Sequence, residues 1–184
     1  MRLALLTKFF TLAFVTSVSS TELPKSKQTV LKLYLTAQET KHFLDDNPNA
    51  FFVDVRTTEE VDEVGLAEGI NSLIPIFLKN TTGSELNPDF LPGMITATQK
   101  NNILQTDPIV IICRSGNRSA TAVDLLAKLG FRKVYTVTDG YEGDKAKSGS
   151  SKGLRTVNGW KNANLPWNQK ASSSCEPAIA GGRC

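Results

Sequence analysis

The sequence predicts an α/β domain with a mostly parallel central sheet flanked by helices. Short, nearly continuous apolar runs, Ala50 to Val55 and Ile109 to Ile112, have the composition of strands buried on both faces. They alternate with stretches whose apolar residues recur at helical spacing, as at Ala122, Leu125, Leu126 and Leu129. Capping residues and glycines punctuate the joins, the pattern of strand and helix units that build a parallel sheet.

Taken in order, regular structure is expected from about Val30, where Leu31, Leu33 and Leu35 alternate with Lys32 and Tyr34 as in a strand. Thr36 followed by Glu39 is a capping-box signature and predicts a helix from Ala37 to Asp45, ended by Asn47-Pro48-Asn49. The strand at 50–55 follows, and Thr57 or Thr58 caps a short acidic helix over Glu59 to Val64. After Gly65 and Gly69, Leu73 to Phe77 reads as a strand carrying Pro75, and residues 79–88 as a turn-rich loop. A helix is expected over Pro88 to Leu104 despite Pro92 and Gly93. The strand Ile109 to Ile112 leads into the loop Cys113-Arg114-Ser115-Gly116-Asn117-Arg118, then into a helix from Ser119 to Leu129 that Gly130 stops. Val134 to Val137 is a further strand. The Gly-, Ser- and Lys-rich stretch 140–159 reads as a long surface loop, after which Trp160, Leu165 and Trp167 are apolar enough to dock back. The domain so defined spans 30–167, with a flexible lead-in at 21–29 and a tail at 168–184.

Residues 1–20 are expected to be a signal peptide. Arg2 and Lys8 form a positive start, Phe9 to Val18 is a short apolar run, and Ser17, Ser19 and Ser20 suit a cleavage site near Ser19 to Thr21. The apolar run is well short of the roughly 20 residues that span a bilayer, so no stable membrane insertion is expected after cleavage. Export, most simply to a periplasm, follows from this reading. The formal charge is +3, and loss of Arg2 and Lys8 brings the mature chain close to neutral. No clustered basic face points to nucleic acid. In an oxidising compartment Cys175 and Cys184, in a polar tail, either pair as a local disulfide or stand as two exposed thiols; the sequence does not choose between them.

Cys113 stands apart. It ends a buried strand and opens a polar, glycine-containing loop that leads into a helix, a placement suited to nucleophilic chemistry. Thiolate is the reactive form of cysteine. The positive end of the following helix, an anion-binding nest of consecutive amides around Gly116, and the fixed charges of Arg114 and Arg118 all favour an anion here. The plainer reading is a buried core cysteine, since free cysteines are among the most buried residues. That reading explains the cysteine but not the doubly basic loop after it. The single histidine, His42, lies on the first predicted helix and is best read as an ordinary helix residue. A Cys–His mechanism and a zinc site are therefore disfavoured. No metal, nucleotide or flavin signature is present, and no tightly bound cofactor is expected.

The segment Ile-Val-Ile-Ile-Cys-Arg-Ser-Gly-Asn-Arg-Ser-Ala at 109–120 resembles the active-site loop of the rhodanese family. Phe-Val-Asp-Val-Arg at 52–56 resembles that family's upstream landmark, and Glu59 to Pro75 the connection that follows it. The likeness covers about residues 34–167, as one rhodanese-like domain. It implies a sulfurtransferase of the thiosulfate type that takes sulfur from a small anionic donor and passes it to a thiol or cyanide, with a protein acceptor also open. Cys113 would be the nucleophile and carry the sulfur as a persulfide. The amides from Arg114 to Arg118 would cradle it, with Ser115, Gly116 and Asn117 among the binding positions. Arg114 and Arg118 would help hold the anion, although Arg118 serves equally well as a structural tie. Ser119, Asp54 and Arg56 are supporting residues. An Asp and an Arg at a strand end beside the site most often form a local ion pair, the stronger reading for Asp54 and Arg56. Gly65-Leu66 stands where the family often has Gly-His, a departure outside the sulfur chemistry.

Three rival readings remain. Phosphatases and arsenate reductases of related fold need five residues between cysteine and arginine to wrap a tetrahedral oxyanion. Here Arg114 to Asn117 provide four. A non-catalytic rhodanese-like binding module commonly lacks the cysteine, whereas a dedicated persulfide carrier for a protein partner would keep it. A thiol redox protein would need a second cysteine beside Cys113, and no Cys-x-x-Cys is present. Tyr141, Glu142, Lys145, Lys147, Lys152 and Arg155 are candidates for overhanging the site mouth, or simply for a solvated loop. Trp160 and Trp167 are read as packing residues.

Overall fold

A computed structural model describes residues 22–169, 173 and 175–184. The expected signal segment, 1–20, lies outside them. Among the described residues no helix is long and apolar enough to cross a membrane.

Five strands form one parallel sheet: β1 (Tyr34–Leu35), β2 (Phe51–Asp54), β4 (Ser72–Leu73), β7 (Ile109–Ile112) and β8 (Val134–Val137), in the order β1-β8-β7-β2-β4. Every residue of β2 and β7 is buried, which is why those runs are apolar at consecutive rather than alternate positions. Helices α1 (Ala37–Asp46) and α2 (Thr58–Val64) cover one face, where Phe52, Val110, Ile112 and Val137 pack with Ala37, Val61 and Trp160. Helices α3 (Phe90–Lys100) and α4 (Asn117–Lys128) cover the other, where Val53, Ile109, Ile111 and Val134 pack with Met94, Ala97, Ala122 and Leu126. The expected α/β architecture is therefore present. The capping box expected at Thr36 forms with Glu39, and of the two caps expected for α2 it is Thr57 that serves, in a capping box with Glu60.

Several elements differ from expectation. The strand expected from Val30 is confined to β1, because Lys32 takes a left-handed backbone (φ 54°) that breaks extension. The lead-in is not loose. It forms a 3₁₀ turn at Lys25–Lys27, and buried Lys27 donates to the Asp144 carboxylate at 2.7 Å. The strand expected over Leu73 to Phe77 is divided, with β4 ending at Leu73. The supposed loop 79–88 contributes to a two-stranded antiparallel hairpin, β5 (Phe77–Asn80) with β6 (Gly83–Leu86). Two more short strands, β3 (Leu66–Ala67) and β9 (Trp167–Asn168), pair antiparallel and dock the C-terminal part of the domain. Trp160 is fully buried beside Phe52, as its packing role requires.

The tail also folds back. Cys175 and Cys184 form a disulfide. The segment they close runs antiparallel to β4: Leu73 N–H donates to Gly182 O at 2.7 Å, and Cys184 N–H to Asn71 O at 3.1 Å. It thereby covers backbone groups at an open edge of the sheet, a position prone to unwanted pairing. A close approach to α3 is possible because position 93 is glycine; a Cβ there would lie 2.3 Å from Ala178 O. Closing so short a loop stabilises the fold by about 2–3 kcal/mol, through the entropy it removes from the unfolded chain.

Candidate active site

The central strand β7 ends at Ile112 and delivers Cys113 to the C-terminal edge of the sheet, the edge at which open α/β sheets bind ligands. The Cys113 side chain is 1 % exposed and belongs to the core on the α3 and α4 side. Gly116 then turns the chain into α4. Its φ is +94°, and a Cβ there would lie 2.1 Å from Thr138 O, so both backbone angle and space require glycine. The helix begins at Asn117, two residues before the expected start at Ser119, so Asn117 and Arg118 belong to its first turn.

This turn aims the positive end of α4 at the cysteine sulfur. The Gly116 N–H donates to Cys113 Sγ at 3.2 Å, and Ser119 Oγ lies 3.6 Å from the same atom. Ser115 is half-buried, while exposed Asn117 accepts a hydrogen bond from Ser26 Oγ at 3.2 Å.

The two arginines of the loop divide their roles. Arg118 makes a bidentate pair with Glu60 of α2, Nη1 to Oε2 at 2.6 Å and Nη2 to Oε1 at 2.7 Å. It ties α4 to α2. Burial works against the Arg118 charge, but the hydrogen bonds and charge of Glu60 outweigh it and hold the guanidinium protonated. Arg114 stays about half exposed, 3.8 Å from the Glu60 carboxylate, and is the cation of the pair that faces solvent. Glu60 joins the site although the sequence offers it only as part of an acidic helix. Its signal was the capping box at Thr57, since the same carboxylate accepts Thr57 N–H at 3.0 Å.

Burial raises the Glu60 pKa, yet the Arg118 hydrogen bonds, the Thr57 amide and the arginine charges bring it from 4.5 down to about 2. Between those values the unfolded chain holds a proton that the folded chain does not, so stability rises with pH there. The clasp is fully present above about pH 4.5 and is lost as pH falls through about 2. Glu60→Gln is therefore expected to lower the melting temperature at pH 7 and to flatten its fall across pH 4.5 to 2, which thermal unfolding at a series of pH values measures. An unchanged acid limb would show that the pair contributes nothing.

Behind the loop, Asp139, Gly140, Tyr141 and Gly143 are buried, and Glu142 half-buried, instead of forming the start of a surface loop. Tyr141 N–H donates to Cys113 O at 2.8 Å and Glu142 N–H to Arg114 O at 3.0 Å. Gly140 permits this contact, since a Cβ there would lie 2.5 Å from Cys113 O. Tyr141 is itself fully buried, its ring 3.9 Å from the Arg56 guanidinium. The expected Asp54 and Arg56 ion pair is present, with both side chains at zero exposure. Arg56 Nε and Nη2 donate to Asp54, and Nη2 also to Gly65 O at 2.8 Å. These residues hold the β2–α2 connection, and through it Glu60; neither is bonded to the sulfur.

A cavity of about 360 Å³ opens beside the loop, lined by Thr57, Glu60 and Glu63 of the α2 region, Phe77, Lys79 and Ser84 of the hairpin, and Arg114 and Arg118. Its lining includes none of Lys145, Lys147, Lys152 or Arg155. The first three project to solvent, and Arg155 instead donates to Gly143 O. Lys79 lines this cavity from β5, where the sequence predicts a turn-rich loop. A larger cavity, about 690 Å³, lies at the opposite end of the sheet among Asp46, Asn49, Asn102 and Pro108, where no side chain is a nucleophile. Among the described residues no group of three or more His, Cys, Asp or Glu side chains is placed to hold a metal ion.

Comparison with known proteins agrees with this geometry. Residues 36–147 match the family model of the rhodanese-like domain. An uncharacterized protein of Rickettsia prowazekii is 36 % identical over 121 residues, covering 66 % of this chain and 85 % of the relative. Thiosulfate sulfurtransferase 16, a chloroplastic protein of Arabidopsis thaliana, is 34 % identical over 90 residues, 49 % of this chain and 69 % of the relative. Among solved structures, the crystal structure of Rv0390 from M. tuberculosis superimposes with a TM-score of 0.58 at 30 % identity, covering 74 % of this chain and 97 % of that one.

Proposed function

The chain belongs to the rhodanese-like family, and from that premise we propose that it is a sulfurtransferase working through a persulfide on Cys113. The Cys113 thiolate attacks the outer, sulfane sulfur of an anionic donor such as thiosulfate. A sulfur–sulfur bond forms as the donor's own sulfur–sulfur bond breaks, and sulfite leaves with the electron pair. A thiolate or cyanide then attacks the outer sulfur of the persulfide and restores the Cys113 thiolate. Cyanide leaves as thiocyanate, and a thiol as its own persulfide.

The observation that carries this reading is the geometry around one sulfur atom: Cys113 Sγ sits at the end of the central strand with the Gly116 N–H on it at 3.2 Å and the α4 N-terminus behind. Amide donors and a helix end stabilise a sulfur anion in both states of the cycle, thiolate and persulfide. Arg118 argues against the phosphatase alternative. In such an enzyme the arginine would face the oxyanion, whereas here both its terminal nitrogens are bonded to Glu60. Arg114 and Lys79, which line the cavity beside the loop and are not tied up as Arg118 is, suit capture of a small anion. Similarity to a plant thiosulfate sulfurtransferase supports thiosulfate as a donor to try first.

The proposal includes export. The composition of residues 1–20 and the Cys175–Cys184 disulfide both favour an oxidising compartment outside the cytoplasm. Cell fractionation with N-terminal sequencing of the purified protein would test it, and an intact Met1 in a cytoplasmic fraction would refute it.

The function is tested by steady-state transfer from thiosulfate to cyanide. A persulfide intermediate predicts ping-pong kinetics, with parallel double-reciprocal lines as cyanide is varied. Intersecting lines would contradict a covalent intermediate. No transfer from any sulfane donor would favour the binding-module reading.

A further inference from the structure

We propose that Thr136, on the neighbouring strand β8, is a positioning residue for the Cys113 sulfur, acting through the hydroxyl of Ser119. The inference rests on Cys113 being the nucleophile, but on no particular donor.

Ser119 and Thr136 are both at zero exposure, and their hydroxyl oxygens lie 2.7 Å apart. Ser119 Oγ is also 3.1 Å from Gly116 O and 3.6 Å from Cys113 Sγ. Each hydroxyl has one proton, so the direction of these bonds can be worked out. Among the described residues Ser119 is the sole hydrogen-bond partner of the Thr136 hydroxyl. Were Ser119 to donate to Thr136, the Thr136 proton would be buried without an acceptor, which is costly. Thr136 therefore donates to Ser119, and the Ser119 proton is left to serve either Gly116 O or the sulfur.

That freedom matches the needs of the sulfur. When Cys113 is a thiol, its S–H points to Ser119 Oγ and the Ser119 proton rests on Gly116 O. When the sulfur is an anion, the Ser119 hydroxyl rotates and donates to it. Thr136 keeps the same bond in both states. By donating to Ser119 it polarises that hydroxyl and makes it a better donor to the anion. The register of the sheet fixes the arrangement: Thr136 pairs with Ile111, two residues before Cys113, and shares its buried face with Val134, against which α4 packs. The pair, fully buried, thus supports the sulfur from within the core.

Alkylation by iodoacetamide across pH reads this directly, because the thiolate is the reacting form and no sulfur donor is needed. Thr136→Val, which keeps the shape of the side chain, is expected to move the midpoint of the profile to higher pH. Its rate at pH 6, relative to its own high-pH plateau, should fall roughly threefold to tenfold. Thr136→Ser restores the hydroxyl and should return the profile to wild type. In a Ser119→Ala background, Thr136→Val should add no shift, since its effect passes through Ser119. If Thr136→Val does not fold, Thr136→Ala carries the same comparison. A profile of Thr136→Val that superimposes on wild type, or no rescue by Thr136→Ser, would overturn the relay alone. A protein whose Cys113 is never alkylated would instead overturn the nucleophile reading beneath it.

Discussion

Cys113→Ser is expected to reduce sulfur transfer from thiosulfate to cyanide to the uncatalysed background, a loss of about 10³-fold or more. The size follows from the chemistry. A serine alkoxide is not available near neutrality, and its oxygen would not reproduce the sulfur–sulfur exchange on which both half-reactions depend. The substitution is nearly isosteric and leaves the Gly116 N–H an acceptor at the same place, so the fold should survive it. Donor binding at Arg114 and Lys79 should survive as well. The loss should therefore appear in kcat, with the melting temperature changed by a few degrees at most. Thiocyanate formation by purified Cys113→Ser, beside wild type, measures it. Activity above a tenth of wild type would move the nucleophile elsewhere.

Asp54→Ala should be the most damaging single change to stability, costing about 3–5 kcal/mol. Arg56 is fully buried, and its charge is balanced by Asp54 through contacts of 2.7 to 3.1 Å. The Tyr141 ring and Gly65 O supply the rest of its surroundings, while Nη1 has no hydrogen-bond partner. Without Asp54 the guanidinium would be buried with no counter-charge. Burial already disfavours the charged form of Arg56, and Asp54 is the first group that reverses this. Replacing both residues by apolar ones, Asp54→Ala with Arg56→Met, should cost less than Asp54→Ala alone, because no ion is then stranded. Urea unfolding of the single and double variants measures both effects. A loss below about 1 kcal/mol for Asp54→Ala would mean that water reaches the pair. The same change should weaken catalysis indirectly, since the β2–α2 connection carries Glu60, which holds Arg118.

The parts of the fold legible from the sequence were those whose local pattern is also their global role. Phe51–Val53 and Ile109–Ile112 are apolar at consecutive positions because the sheet is covered on both faces. The capping box at Thr36 needs only residues three apart. The Cys113 loop was legible for the same reason, as one continuous run of chain. What escaped were elements defined by partners distant in sequence. The β5–β6 hairpin is mostly exposed, with polar residues such as Lys79, Asn80, Ser84 and Glu85 on strands that have no buried face to impose alternation. Tyr141 sits in a stretch of Gly, Lys and Asp that reads as solvent-facing, yet it is buried because Arg56, 85 positions earlier in the chain, lies beneath its ring. Glu60 and Arg118 are 58 residues apart, and nothing local to either pairs them. Thr136 looks like any β-branched strand residue, and only the sheet register places its hydroxyl against Ser119.

The proposed mechanism requires sulfur to reside covalently on Cys113 during transfer. It is tested most directly by weighing intact, fully reduced protein after thiosulfate is added and removed, then again after cyanide. Wild type is expected to gain one sulfur atom, located on the peptide containing Cys113 and released by cyanide as thiocyanate, with no gain by Cys113→Ser. Unchanged wild-type mass while thiocyanate still accumulates, or equal uptake by Cys113→Ser, would contradict it.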